Sequence, residues 1–153
     1  MSKACQLFSG SSGNSIYISS RETKILVDAG VSAKRICMAL NNIGEDAQKI
    51  SAIFITHEHS DHINGVRVLA SKYNIPVFAH RAVIDSMVNT GIVNEKIKAF
   101  EISDNMEIGG VEVLPFELSH DSVECNGYRF NTPDGRAISV CTDTGIVTKQ
   151  AQD

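Results

Sequence analysis

Apolar positions along the chain come in short runs broken by glycine-rich or polar turns. Residues 4–8, 15–18 and 24–27 read as strands, separated first by Gly10-Ser11-Ser12-Gly13-Asn14 and then by a second polar turn, which predicts an antiparallel meander. After Asp28-Ala29-Gly30 the period changes. Ser32 is placed to cap a helix whose apolar residues Ile36, Ala39, Leu40 and Ile43 recur at helical spacing, and Gly44 is placed to end it. Residues 50–56 form a β-branched apolar run suited to a buried strand. Residues 63–73 follow as a helix that must have ended before Pro76. The pattern continues with a short strand at 76–79, a helix at 81–89 closed by Gly91, and an extended piece at 97–102. From Met106 onward it reads as hairpins. Gly109-Gly110 turns one, and Asn131-Thr132-Pro133-Asp134-Gly135 turns another between Tyr128 and Val140.

Strands first, then strand-helix units, then hairpins describe an α/β layered fold with a mixed sheet. With 153 residues, 42% of them hydrophobic and 21% charged, the chain can bury a core of its own. No repeat, linker or low-complexity tract marks a boundary, so residues 1–153 are expected to form one domain. The formal charge of −4 supplies no overall basic field, so binding of nucleic acid would need a local patch. The N-terminal residues lack an apolar run of signal-peptide type, and no segment approaches membrane-spanning length. A cytoplasmic protein with no membrane association is therefore expected. Cys5, Cys37, Cys125 and Cys141 form no C-x-x-C pair and are expected to be ordinary buried thiols rather than disulfides.

The chemistry concentrates in Thr56-His57-Glu58-His59-Ser60-Asp61-His62, between a predicted buried strand and a helix. Imidazole nitrogen and carboxylate oxygen together suit zinc and also admit manganese or iron. A strand would send alternate side chains to opposite faces, whereas a strand-to-helix turn can gather His57, His59, Asp61 and His62 on one side. Glu58 and Ser60 alternate with these residues and receive no catalytic role.

The segment resembles the H-x-H-x-D-H motif of the metallo-β-lactamase fold. Further stretches agree in order: Ser9-Gly10-Ser11-Ser12-Gly13-Asn14-Ser15, Leu26-Val27-Asp28-Ala29-Gly30, Ser119-His120-Asp121 and Thr142-Asp143-Thr144-Gly145 resemble the bacterial YycJ/WalJ-like subgroup. The resemblance implies the N-terminal half to two-thirds of a four-layer αββα sandwich and a metal-dependent hydrolase. It also implies a phosphodiesterase or nuclease of DNA exonuclease type, with a phosphodiester substrate, in particular nucleic acid. Two divalent ions are implied, zinc first and manganese as the alternative. His57, His59 and His120 would hold one ion, Asp61 and His62 the second, and Asp143 would bridge them. Hydrolysis would then use a metal-bound hydroxide, with Asp61 as the candidate catalytic residue relaying a proton to the leaving group.

Other residues carry two readings. Asp28, at a strand end, is either an acceptor that steadies a ligand histidine or a turn former. Cys141 shares a strand face with Asp143 but reads as an ordinary thiol. Residues 11–15 could offer amides to a phosphate, although a simple hairpin turn is the plainer reading. His80 matches no ligand motif and is read as structural, and Lys72, Lys96 and Lys98 as solvated.

The resemblance also implies a last histidine ligand, yet no histidine follows His120 and the sequence stops ten residues after Asp143. A chain truncated at its C-terminus is therefore expected, with an uncovered face that favours self-association. Two alternatives to the nuclease follow: a thioester or lactone hydrolase on the same metals, and a catalytically incomplete fragment that binds metal or a partner.

Overall fold

The computed structural model describes residues 2–10, 13–56, 60–103, 106–117, 126–141 and 145–148. Strands β1 (Ser2–Phe8), β2 (Ser15–Ser20) and β3 (Thr23–Val27) form the antiparallel meander that the pattern predicts. Strands β4 (Ala52–Phe54), β5 (Val77–Ala79) and β6 (Ala99–Glu101) then add in parallel, giving a mixed six-stranded sheet in the order β1-β2-β3-β4-β5-β6. A second sheet is wholly antiparallel, in the order β11-β10-β9-β8-β7. It contains β7 (Met106–Ile108), β8 (Val111–Glu117), β9 (Asn126–Asn131), β10 (Ala137–Cys141) and β11 (Gly145–Thr148).

Helices α1 (Ala33–Asn42), α2 (Ser60–Ile63), α3 (Val66–Tyr73) and α4 (Arg81–Asn89) complete the described elements. They share one core with the outer face of the first sheet: Ile36, Leu40, Leu69 and Val83 pack with Tyr17, Leu26, Ile53 and Ile55. The opposite face, built from Ile16, Ile18, Ile25, Val27 and Phe54, packs on Val113, Tyr128, Phe130, Ile138 and Val140 of the second sheet. Three layers result, helices over sheet over sheet, as expected for the larger part of an αββα sandwich. Because both faces of the first sheet are covered, β2 and β4 are buried at every residue.

Phe54 is the centre of the core between the sheets. It stacks on Phe78 at 5.0 Å and meets Tyr128 and Phe130 edge-on at 5.2 and 5.7 Å, the offset geometry that aromatic quadrupoles favour. Tyr128 spans the layers, donating its hydroxyl to the carbonyl of Ile55 at 2.7 Å.

Two sequence expectations change in detail. The run at 50–56 keeps strand pairing only over β4, because Asp46 caps a short 3₁₀ turn, Ala47–Lys49, that delays the strand. The helix expected over 63–73 is two helices, broken at Gly65. The cause is close packing: a β-carbon on residue 65 would sit 2.3 Å from the carbonyl oxygen of Val31, and the Gly65 amide donates to Ala29 at 2.7 Å. The hairpins match their signals. Gly109 and Gly110 both take positive φ, 55° and 90°, as a two-residue turn between paired strands requires. Cys5 and Cys37 are free, as expected, but half-buried, with Cys37 against the Tyr73 hydroxyl at 3.6 Å.

The five-residue turn before β10 is tied to the other sheet through Asp134. Its carboxylate accepts from the Ser2 amide at 3.1 Å and the Ser2 hydroxyl at 2.8 Å, and also from Thr132. The Thr132 and Ser2 hydrogen bonds pull the Asp134 pKa down to about 2. A depressed carboxylate contributes stability above its unfolded value, roughly pH 3.9, and loses it as pH falls through the folded value. We expect Asp134→Asn to lower the chemical-denaturation midpoint at pH 7 and to flatten its pH dependence between about pH 4 and 2. An unchanged acid limb in the variant would refute this.

Gly30 gives a second prediction. A β-carbon there would lie 1.9 Å from the carbonyl oxygen of Asp61 and 2.6 Å from the Asn14 nitrogen, both main-chain atoms. Gly30→Ala should cost about 3 kcal/mol or more in a urea melt. At Gly44, where nothing lies within 4 Å and only the φ of +80° is at stake, alanine should cost about 1 kcal/mol. Equal costs at the two sites would show that the close approach does not hold in solution.

Candidate metal centre

The site is built where the parallel strands end. At the end of β3, Asp28 takes φ 66°, a left-handed conformation that aspartate tolerates better than most side chains. That turn sends Ala29 and Gly30 beneath the motif segment. Four main-chain bonds lock the three strands of chain together: Asn14 N–H to Asp61, Gly30 N–H to Asn14, Ala29 N–H to His62 and Gly65 N–H to Ala29, all between 2.7 and 2.9 Å. Gly13 and Gly30 permit this approach, since a β-carbon at either would overlap a neighbour.

His62 lies in α2, buried at 4% exposure, with its ring fixed from one side. Asp28, also 4% exposed, accepts from the Thr56 amide on Oδ1 at 2.8 Å. Its Oδ2 accepts from the Thr56 hydroxyl at 2.8 Å and lies 2.6 Å from His62 Nδ1. Of the two readings left open for Asp28, the structure therefore shows the histidine acceptor, and the turn conformation as well. With Nδ1–H donating to Asp28, His62 Nε2 carries the ring's lone pair. That nitrogen stands 3.6 Å from Asp61 Oδ2.

Two acceptors so placed repel each other unless a proton or a cation serves both. Donors about 2 Å from a tetrahedral ion stand roughly 3.3 Å apart, so the Asp61–His62 pair fits one divalent ion. Among the described residues no three such donors converge. His57, His59, His120 and Asp143 lie outside the described residues, as do Glu58, Ser11 and Ser12 and the side chain of Cys141.

In the second sheet, strands β8 and β10 both pair antiparallel with β9, so both run the same way and end, at Glu117 and Cys141, at one end of the sheet. Tyr128, opposite Pro115 and Val140 near that end, is the residue bonded to Ile55, one position before Thr56.

His80 is structural, as expected: its Nδ1 caps α4 by accepting from the Ala82 amide at 3.1 Å. Lys72 and Lys96 line a surface cavity with Arg67, and Lys96 and Lys98 line another with Phe100, beside the starts rather than the ends of β5 and β6. Two contributors were not singled out from sequence. Thr56 was legible only as the residue before the first histidine. Asn14 was read as part of a turn, yet its side chain reaches Asp61.

These features define a class before any individual relative is considered. Residues 23–153 match the family model described as the beta-lactamase superfamily domain, and the chain belongs to that family. It is 42% identical over 146 residues to exodeoxyribonuclease WalJ of Streptococcus pneumoniae, covering 93% of this chain and 54% of that protein. Against exodeoxyribonuclease YycJ of Bacillus anthracis it is 38% identical over 144 residues, with the same coverage of 93% and 54%. The chain thus spans about half the length of these relatives. Among solved structures, a metallo-β-lactamase from Cronobacter sakazakii superposes with a TM-score of 0.73 at 21% identity, over 82% of this chain and 56% of that one, which shows the shared fold. No helix among the described residues is long and apolar enough to cross a membrane.

Asp28 yields the third prediction. Asp28→Ala removes the acceptor of three donor contacts in a buried setting and should cost about 3 kcal/mol or more. Asp28→Asn is the sharper probe. The carbonyl must stay on the Thr56 amide, so the NH₂ faces His62 Nδ1 and should drive the ring proton to Nε2. Nitrogen-15 spectra of the imidazole report the tautomer directly, and a His62 still protonated at Nδ1 in that variant would contradict the geometry.

Proposed function

We propose that this chain carries the metal-binding half of a hydrolase that cleaves phosphodiester bonds in nucleic acid, acting on DNA as an exonuclease. The observation that carries this reading is the His62 ring, clamped at Nδ1 by Asp28 and presenting Nε2 beside the Asp61 carboxylate. The phosphodiester specificity rests on the exodeoxyribonuclease relatives, at 42% and 38% identity. In this reading His57, His59 and His120 hold one divalent cation, Asp61 and His62 a second, and Asp143 serves both, with zinc as the first choice and manganese as the second. Such cations, when bound, make water nucleophilic near neutral pH and neutralise charge on the phosphoryl group.

The chain's own residues supply the remainder. Asp28 holds His62 in one tautomer and one orientation, so no reorganisation is needed when a cation arrives. Thr56, bonded to Asp28 through both its amide and its hydroxyl, holds Asp28. Asp61, 29% exposed at its side chain, is open enough to take a proton from the attacking water on a carboxylate oxygen and pass it to the leaving-group oxygen.

The test pairs elemental analysis with hydrolysis of a bis-aryl phosphate and of end-labelled DNA, on wild type and Asp61→Ala. About two metals per chain, activity on both substrates and a loss of about 100-fold or more in kcat/KM for the variant are expected. Metal uptake with cleavage of thioesters or lactones but not phosphodiesters would replace this substrate class. Absence of metal uptake would overturn the reading altogether.

A further inference from the structure

Asn14 closes the turn between β1 and β2, 47 residues before Asp61, and its amide occupies a specific place. Its Nδ2 lies 3.0 Å from the Gly10 carbonyl oxygen, 3.2 Å from the Asp61 carbonyl oxygen, 3.3 Å from Asp61 Oδ2 and 3.4 Å from His62 Nε2. Three of these partners are oxygens that only accept, which fixes the NH₂ rather than the carbonyl of the amide toward them. The fourth is the nitrogen that carries the lone pair once Asp28 holds Nδ1–H. A single neutral NH₂, its two hydrogens shared among these four, thus faces both the carboxylate oxygen and the imidazole nitrogen, which stand 3.6 Å apart. The main chain of Asn14 is bonded independently, its N–H to Asp61 and its carbonyl to Gly30. These two main-chain bonds do not involve the side chain.

We propose that Asn14 is a positioning residue: its side-chain amide sets the Asp61 carboxylate against His62 Nε2 and so preorganises the pair for a cation. The role rests on the reading of Asp61 and His62 as metal ligands. It assigns to the glycine-serine turn a function in the site other than phosphate binding or simple chain reversal. An amide suits the task because it is uncharged. It stabilises the pair without the repulsion that Lys or Arg would exert on an incoming cation, and its hydrogen bonds are weak enough to be exchanged for bonds to a metal.

The experiment compares wild type with Asn14→Ala and with Asn14→Leu, which keeps the volume and loses the donor. Calorimetric titration of the metal-free proteins with Zn²⁺ or Mn²⁺ should show the second equivalent bound about 10- to 100-fold more weakly in both variants. Phosphodiester hydrolysis at saturating metal should recover most of the wild-type kcat, because only the occupancy of the site has changed. Thermal midpoints of the metal-free proteins should stay close together, since the main-chain bonds remain. Crystal structures of the metal-free variants should show the Asp61 carboxylate rotated away from His62.

An Asp61 that keeps its rotamer, or unchanged metal affinity despite its rotation, would overturn the role of Asn14. A wild type that takes up no metal, while Asp61 still turns in the variants, would bring down the metal-centre reading and leave the positioning contact standing.

Discussion

The described part of the candidate centre depends on a main-chain junction at the end of β3. Residues 14, 28–30 and 61–65 belong to segments far apart in sequence, and amide-to-carbonyl bonds of 2.7–2.9 Å tie them into one unit. The junction exists only because residue 30 has no side chain, for its missing β-carbon would lie inside the Asp61 carbonyl. The left-handed turn at Asp28 is the other requirement, since it aims the chain into the gap. Strain of this kind persists where surrounding structure over-determines it. Here the surroundings are Thr56, His62 and Ser15, whose hydroxyl donates to the Asp28 carbonyl at 2.9 Å.

From that junction the electrostatics follow in one direction. A buried carboxylate would be costly alone, but Asp28 receives two hydrogen bonds from Thr56 and one from His62. Its carboxylate orients the imidazole, and the orientation turns Nε2 toward the Asp61 carboxylate and the Asn14 amide. Stability and site geometry are therefore one network.

Much of this was legible in the residues. Hydrophobic period and turn chemistry located the meander, the capped α1, the parallel strands and both late hairpins, because each depends on local rules. The break at Gly65 was not legible, since glycine there answers to a carbonyl at residue 31 and not to its neighbours in sequence. The motif named Asp61 and His62 by composition alone. It could not decide between the two readings of Asp28, nor find Asn14, because both act through contacts 34 and 47 residues away. A turn asparagine carries no local mark that distinguishes chain reversal from support of a carboxylate.

The second sheet is joined to the chain that leads into the motif segment. In an antiparallel sheet, alternate strands run the same way, so β8 and β10 emit their following residues at one end. The Tyr128 hydroxyl bonds to Ile55, next to the start of the motif segment, while the Phe54 cluster fills the space around it. A hydroxyl-to-carbonyl bond of this kind is a directional constraint, unlike the apolar contacts beside it. This bond, embedded in an aromatic core, joins the second sheet to the chain just before Thr56, while the Ser2–Asp134 and Thr23–Gly109 hydrogen bonds join the same two sheets elsewhere.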